Sequence, residues 1–166
     1  MSYRRFGAMI ATSTVVMFVL MYLNTHTFDH VWFSQTRMWM ALVMGACMAV
    51  IMLIFMLSMY RNATANIAIV GAGLLVSAGS LWLVRSQATV GDVSYMKAMI
   101  PHHSIAVLTS SRAHIRDPRV RKLADGIIEA QLREIAEMER LIGDLETRPI
   151  PATAPDIAPA TARNAD

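Results

Sequence analysis

Met38-Trp39-Met40-Ala41-Leu42-Val43-Met44-Gly45-Ala46-Cys47-Met48-Ala49-Val50-Ile51-Met52-Leu53-Ile54-Phe55-Met56-Leu57-Ser58-Met59-Tyr60 runs from 38 to 60 without one charged side chain. Roughly 20 mostly apolar residues are enough to cross ~30 Å of hydrocarbon, so this stretch reads as a membrane-spanning helix. Two flanking stretches have the same character, about 6–23 on its N-terminal side and about 65–84 on the other. Residues 1–88 therefore read as a membrane domain of three transmembrane helices. In the last of them Gly71, Gly73, Ser77 and Gly79 either let a neighbouring helix approach closely or are simply tolerated in lipid.

Outward from the membrane half, the composition changes. The whole chain is 55% hydrophobic and 16% charged over 166 residues, with a net charge of +3. Up to residue 90 the charges are Arg4, Arg5, Arg37, Arg61, Arg85 and Asp29, and all others lie beyond. The second half is close to neutral, so no basic patch for nucleic acid is expected. The lone Cys47 excludes an internal disulfide framework. Arg4 and Arg5 before an apolar run resemble a secretory signal, but no small-residue cleavage pattern follows at Met21-Tyr22-Leu23-Asn24, so the run is kept as an anchor. Arg4, Arg5 and Arg61 against Arg37 and Arg85 place the N-terminus inside and everything after Arg85 outside. The expected location is the bacterial inner membrane, multi-pass, with a periplasmic C-terminal domain. All five histidines then fall outside, as expected in any case of a polar residue that avoids spanning helices.

Residues 92–115 and 118–146 read as an antiparallel pair of helices within a domain at 89–146. Asp92 is placed to cap the first helix. Arg116-Asp117-Pro118 punctuates the pair, with Asp117 as cap and Pro118 in the first turn of the second helix. Ala124, Ile127, Ile128, Gln131, Ile135, Met138 and Ile142 recur at helical steps and form one face. From 147 to 166 Pro, Ala and Thr dominate without periodicity, the composition of a disordered tail. A helix pair this small has a marginal core alone. Either two copies complete a four-helix bundle as a homodimer, or the hairpin lies back on the membrane part of its own chain.

The densest candidate for chemistry is Tyr95-Met96-Lys97-Ala98-Met99-Ile100-Pro101-His102-His103. At about 100° per residue, Met96, Met99, Ile100, His103, Val107, Ser110 and His114 share a helical face, and His102 points away from it. Gln131, Glu134 and Met138 sit on the facing helix. Thioether and imidazole ligands together suit Cu(I) better than calcium, magnesium or manganese. Taken singly, the methionines are equally well explained as core filler. Gln131 is harder to dismiss, because a buried amide needs partners.

These residues, with Asp117-Pro118, Val120-Arg121, Leu123-Ala124, Ile127-Ile128, Gln131, Glu134-Ile135 and Met138, resemble the bacterial domain-of-unknown-function 305 family over residues 93–143. The resemblance implies a ferritin-like helical bundle, export or membrane anchoring, and in some cases copper binding and tolerance. Carried over by position, it implicates Met96, Met99, His102, His103, Gln131, Glu134 and Met138. The chain departs from the pattern at Ser104 and Thr109, where glutamine and methionine are common, and it has one helix pair where longer members have two.

Enzyme readings lack their motifs. Neither Glu-x-x-His nor His-Glu-x-x-His occurs, nor a Gly-rich phosphate loop or a Gly-x-Ser-x-Gly elbow. The methionines at 40, 44, 48, 52 and 56 form a slow spiral that could relay Cu(I), as in the Met-x-x-x-Met element of trimeric copper-uptake channels. The absence of any ionisable spanning residue favours a packing role instead. The expectation is a non-enzymatic, membrane-anchored, periplasm-facing protein that binds copper through Met96, Met99, His102, His103, Glu134 and Met138, supported by Gln131 and His114. Metal-handling proteins would be its partners. The alternative is a helical interaction or scaffold module with a Met/His-lined core.

Overall fold

The computed structural model describes residues 2–151, 153–157 and 159. In chain order it contains α1 (Tyr3–Leu20), a 3-10 turn (Phe28–His30), α2 (Gln35–Phe55), α3 (Ala63–Ser86), α4 (Asp92–Arg112) and α5 (Pro118–Thr147), with no strand among the described residues. Most helices begin on a side chain that accepts an otherwise orphaned backbone N–H. Ser2 accepts from Arg4, Ser34 from Arg37, Asn62 from Ala65 and Asp117 from Arg119. The exception is α4, whose cap is Gly91 without a side-chain bond. Asp92 is thus not the cap but the first helical residue, where its charge faces the positive end of the helix dipole.

Two helices, not three, are long and apolar enough to cross a bilayer, α2 and α3. The expected span at 6–23 is displaced to Tyr3–Leu20, a helix of only 18 residues. It takes in Arg4 and Arg5 and the polar run Thr12-Ser13-Thr14, which dilute its apolar character. Most residues of α2 and α3 face outward, unlike the core helices of a water-soluble protein.

α2 is the centre of this half. α1 and α3 flank it, and their backbones do not approach one another. Small residues set the packing distance: a side chain on Gly45 would collide with Thr14 of α1, and a Cβ on Gly73 would lie 2.7 Å from Val50. At one end Phe6, Leu53 and Tyr60 form a buried cluster. There the Tyr3 hydroxyl donates to Asn66 Oδ1 (2.9 Å) and meets Asn62, so α1 starts where the α2–α3 turn lies and runs antiparallel to α2.

α4 and α5 form the antiparallel hairpin. Its register is fixed by Lys97 Nζ on Glu146 Oε1 (2.6 Å) near one end and Arg121 on the Ser110 carbonyl (3.0 Å) near the other. Between them Met96, Ile100, Ile135, Met138 and Ile142 close a core. Ile100 and Ile142 are fully enclosed, each worth about 1.5–3 kcal/mol of burial. α5 ends at Thr147 and the described residues after it are exposed and irregular; the rest of the predicted tail lies outside the described residues.

The hairpin also lies back on its own chain. The segment 21–34 between α1 and α2 closes on itself, with the Ser34 N–H donating to the Tyr22 hydroxyl (2.8 Å) and Arg37 donating to the Met21 carbonyl (2.7 Å) over the Tyr22 ring. Its 3-10 turn and the start of α2 then pack on α4.

Candidate functional site

α4 carries Pro101 inside the helix, which removes the helical bond to the Lys97 carbonyl. The turn that follows presents the two histidines in different directions. His102 is exposed. His103 turns inward, with 14% of its side chain accessible, and its ring centroid lies 6.2 Å from that of His102.

His103 Nδ1 lies 3.3 Å from Glu134 Oε2 on α5, close enough for an ion pair but without the alignment of a hydrogen bond, so this buried nitrogen has no directed partner. Burial pushes the His103 pKa below the ordinary histidine range. Glu134 pulls it back in part, and His102 adds to the lowering. Neutral imidazole, the form that binds metals, is therefore favoured at neutral pH. One helical turn along on each helix stand Met99 and Met138. Met138 and Met96 are buried in the hairpin core, and Met99 packs half-buried against it.

The structure thus brings five of the predicted residues to one stretch of the hairpin interior: Met96, Met99, His103, Glu134 and Met138. Three others are elsewhere. His102 points to solvent, and His114 lies beyond the end of α4, exposed, because the helix stops at Arg112 rather than 115. Gln131 is half-buried and borders a shallow depression on α5 with Lys122, Leu123, Gly126 and Ile127. Among the described residues no three of His, Cys, Asp or Glu converge as a metal-binding group.

Sequence reasoning missed Ser104. It is fully buried, and its Oγ accepts the His26 N–H (2.7 Å) and lies 2.9 Å from His30 Nδ1. The side chain that departs from the resembled pattern is the one that holds the 21–34 segment against α4. Trp32 of the same segment packs on the hairpin core, and Lys97 Nζ sits 5.6 Å above its ring. Partners nearly half a chain length away leave no local periodicity to read.

No solved structure matches the chain. It is similar to the mimivirus protein "Uncharacterized protein L153" of Acanthamoeba polyphaga mimivirus, with 29% identity over 145 residues, covering 83% of this chain and 93% of the relative. An alignment of that length does not fit within the hairpin, so the similarity includes much of the apolar half as well. Residues 87–164 match the model of the family described as Domain of unknown function (DUF305), which supports the family read from the Met-Ile-Pro-His-His string and places it on the α4–α5 hairpin with its tail.

Proposed function

We propose that the chain is a membrane-anchored metal-binding protein, held by α2 and α3, whose hairpin binds copper as Cu(I) in metal handling or tolerance. The observation that carries this reading is His103: an inward-facing imidazole kept neutral by burial, with an unpartnered Nδ1, one turn from the thioether of Met99 and facing Glu134. His103 and Met99 are the leading ligands, with Met138, Met96 and Glu134 as further donors. Soft sulfur with neutral imidazole selects Cu(I).

The anchor reading has its own support. Tyr3 is pinned to Asn62 and Asn66, so Arg4, Arg5 and Arg61 gather at one end of the apolar half. Arg37 and Arg85 lie at the other end, with the hairpin. Three arginines against two orient the first end to the cytoplasm and the hairpin to the periplasm of a bacterial inner membrane. The hairpin is half of a ferritin-like bundle, and a second copy completes it.

The test is a competition titration of the full chain in detergent against a Cu(I) chelator. His103→Ala and Met99→Ala should each weaken binding by about tenfold or more, equivalent to about 1.4 kcal/mol. Absence of binding, or binding indifferent to both substitutions, refutes the copper reading.

A specific observation favours a second reading, an interaction module without metal. Leu123 is 65% exposed and Val120 48%, beside the side-chain-free surface of Gly126 on α5. Burial of Met96 and Met138 among isoleucines is also what core filler does.

A further inference from the structure

Between α1 and α3, whose backbones stay apart beyond their contacts at the Tyr3 end, lies an apolar groove of about 680 Å³. Leu42, Ala46 and Ala49 of α2 form its floor, with Gly7 and Ala11 on the α1 side and Ala72 on the α3 side. Its α1 border runs from Tyr3 to Val15, roughly 18 Å at 1.5 Å per residue. That is slightly more than half of the ~30 Å hydrocarbon thickness, the depth of one leaflet. A further packed helix would run the full thickness. The groove has the length and apolar lining for a single acyl chain entering from one side.

The side it opens from is charged. The Tyr3 contacts with Asn62 and Asn66 bring the first turn of α1 to the α2–α3 turn, so exposed Arg4, Arg5 and Arg61 share the end where the groove begins. The first 91 residues contain one acid, Asp29, and it lies at the opposite end, in the segment that packs on α4. Tyrosine at such a boundary suits the headgroup layer, and clustered arginine suits an anionic lipid surface.

We infer that this groove binds an acyl chain of an anionic phospholipid whose phosphate lies against Arg4, Arg5 and Arg61. The inference rests on the membrane reading of α2 and α3. Each basic residue near an anionic headgroup favours it by about fivefold, so three give a preference on the order of 100-fold over a zwitterionic lipid.

The test uses the full chain. Membranes carrying it are first washed at alkaline pH. The protein is then purified in mild detergent, offered phosphatidylglycerol or phosphatidylcholine, and its bound lipid counted by native mass spectrometry. Retention of phosphatidylglycerol over phosphatidylcholine by that factor is expected. Gly7→Leu should abolish retention of both lipids by filling the groove; a Cβ at Gly7 meets nothing within 4 Å, so the substitution displaces no packed atom. Ala72→Leu fills it from the α3 side should Gly7→Leu fail to fold. The triple variant Arg4→Gln, Arg5→Gln, Arg61→Gln should retain both lipids equally. A chain released by the alkaline wash overturns the membrane reading and the lipid site with it. A chain that stays in the membrane but shows no anionic preference, or keeps it when the groove is filled, overturns the lipid site alone.

Discussion

Ser104→Ala removes one oxygen from a fully enclosed position, and its consequence can be worked from two distances. The Oγ accepts from the His26 N–H at 2.7 Å and contacts His30 Nδ1 at 2.9 Å. A hydrogen bond contributes about 0.5–1.5 kcal/mol net, and a buried donor left unpaired costs about 1–3 kcal/mol. His26 is exposed and His30 half-buried, so water replaces part of what is lost, and a total of about 1–3 kcal/mol is expected. The loss is local, because the 21–34 segment closes on itself through Tyr22, Ser34 and Arg37 independently of Ser104. What changes is its docking on α4. At 1.4 kcal/mol per tenfold, the undocked population should rise by about 5- to 140-fold. Hydrogen exchange of the full chain in detergent reads this directly: amides around His26 to Val31 should exchange faster by that factor, while those within α2 and α3 stay as they are. His30→Ala, which keeps the His26 bond, should give a smaller acceleration. Unchanged exchange around His26 in Ser104→Ala, or an equal acceleration throughout the hairpin core, would refute the reasoning.

Three further outcomes follow from the packing. Ile100→Ala empties a fully enclosed site and should destabilise the hairpin by about 2–5 kcal/mol, against about 0.5–1.5 for Ile100→Val, measured by denaturant unfolding followed through Trp32, which packs on the same core. Gly45→Ala should loosen α1 from α2 by about 1–3 kcal/mol, because the new Cβ meets Thr14; Thr14→Ala should recover much of the loss in thermal unfolding, and no recovery would mean the collision is not the cause. The Asp117 pKa lies below its ordinary value, chiefly through the hydrogen bond from the Arg119 side chain. A depressed carboxylate stabilises the fold above its unfolded pKa of about 3.9 and loses that contribution as pH falls through the lower folded value. Helicity of α5 should therefore fall on acidification in the wild type, and Asp117→Asn should flatten that dependence.

What the sequence made legible is what is local. The charge-free run at 38–60 falls on α2, which begins three residues earlier and ends at Phe55, and Asp117-Pro118 marks the start of α5 to the residue, because spans and caps are written in consecutive side chains. The step of three and four residues placed Ala124, Ile135, Met138 and Ile142 on the buried face of α5. Ends set by competition between neighbouring residues were less readable. α1 extends back over Arg4 and Arg5 once Ser2 caps it, which costs it the apolar character of a span. α4 stops at Arg112 and leaves His114 outside the face that periodicity assigned to it. Gln131, whose position in an apolar stripe suggested a role in the site, instead borders the surface of α5. The docking of His26, His30 and Trp32 on α4 depends on tertiary contacts for which a sequence has no local signature.

That docking also decides which surface of the hairpin remains for a partner. From Trp32 beside Lys97 to His30 at Ser104, the α4 side is occupied by the chain's own 21–34 segment. The chain folds back on itself over the same two turns of α4 that carry Met99 and His103. In the proposed dimer, a second copy would approach from α5, where Val120 and Leu123 stand exposed beside Gly126. The N-terminal turns of α5 carry Arg119, Arg121 and Lys122, whereas acids predominate toward its C-terminal end. An antiparallel α5 pair sets opposite charges against each other, and a parallel pair sets like against like. The hairpin and the apolar half are therefore best regarded as one unit, consistent with a viral relative whose similarity runs across both. A hairpin cut away from residues 21–34 would lose the Trp32 cover over its core and offer α4 as a second sticky face, so its oligomeric state would not report that of the whole chain.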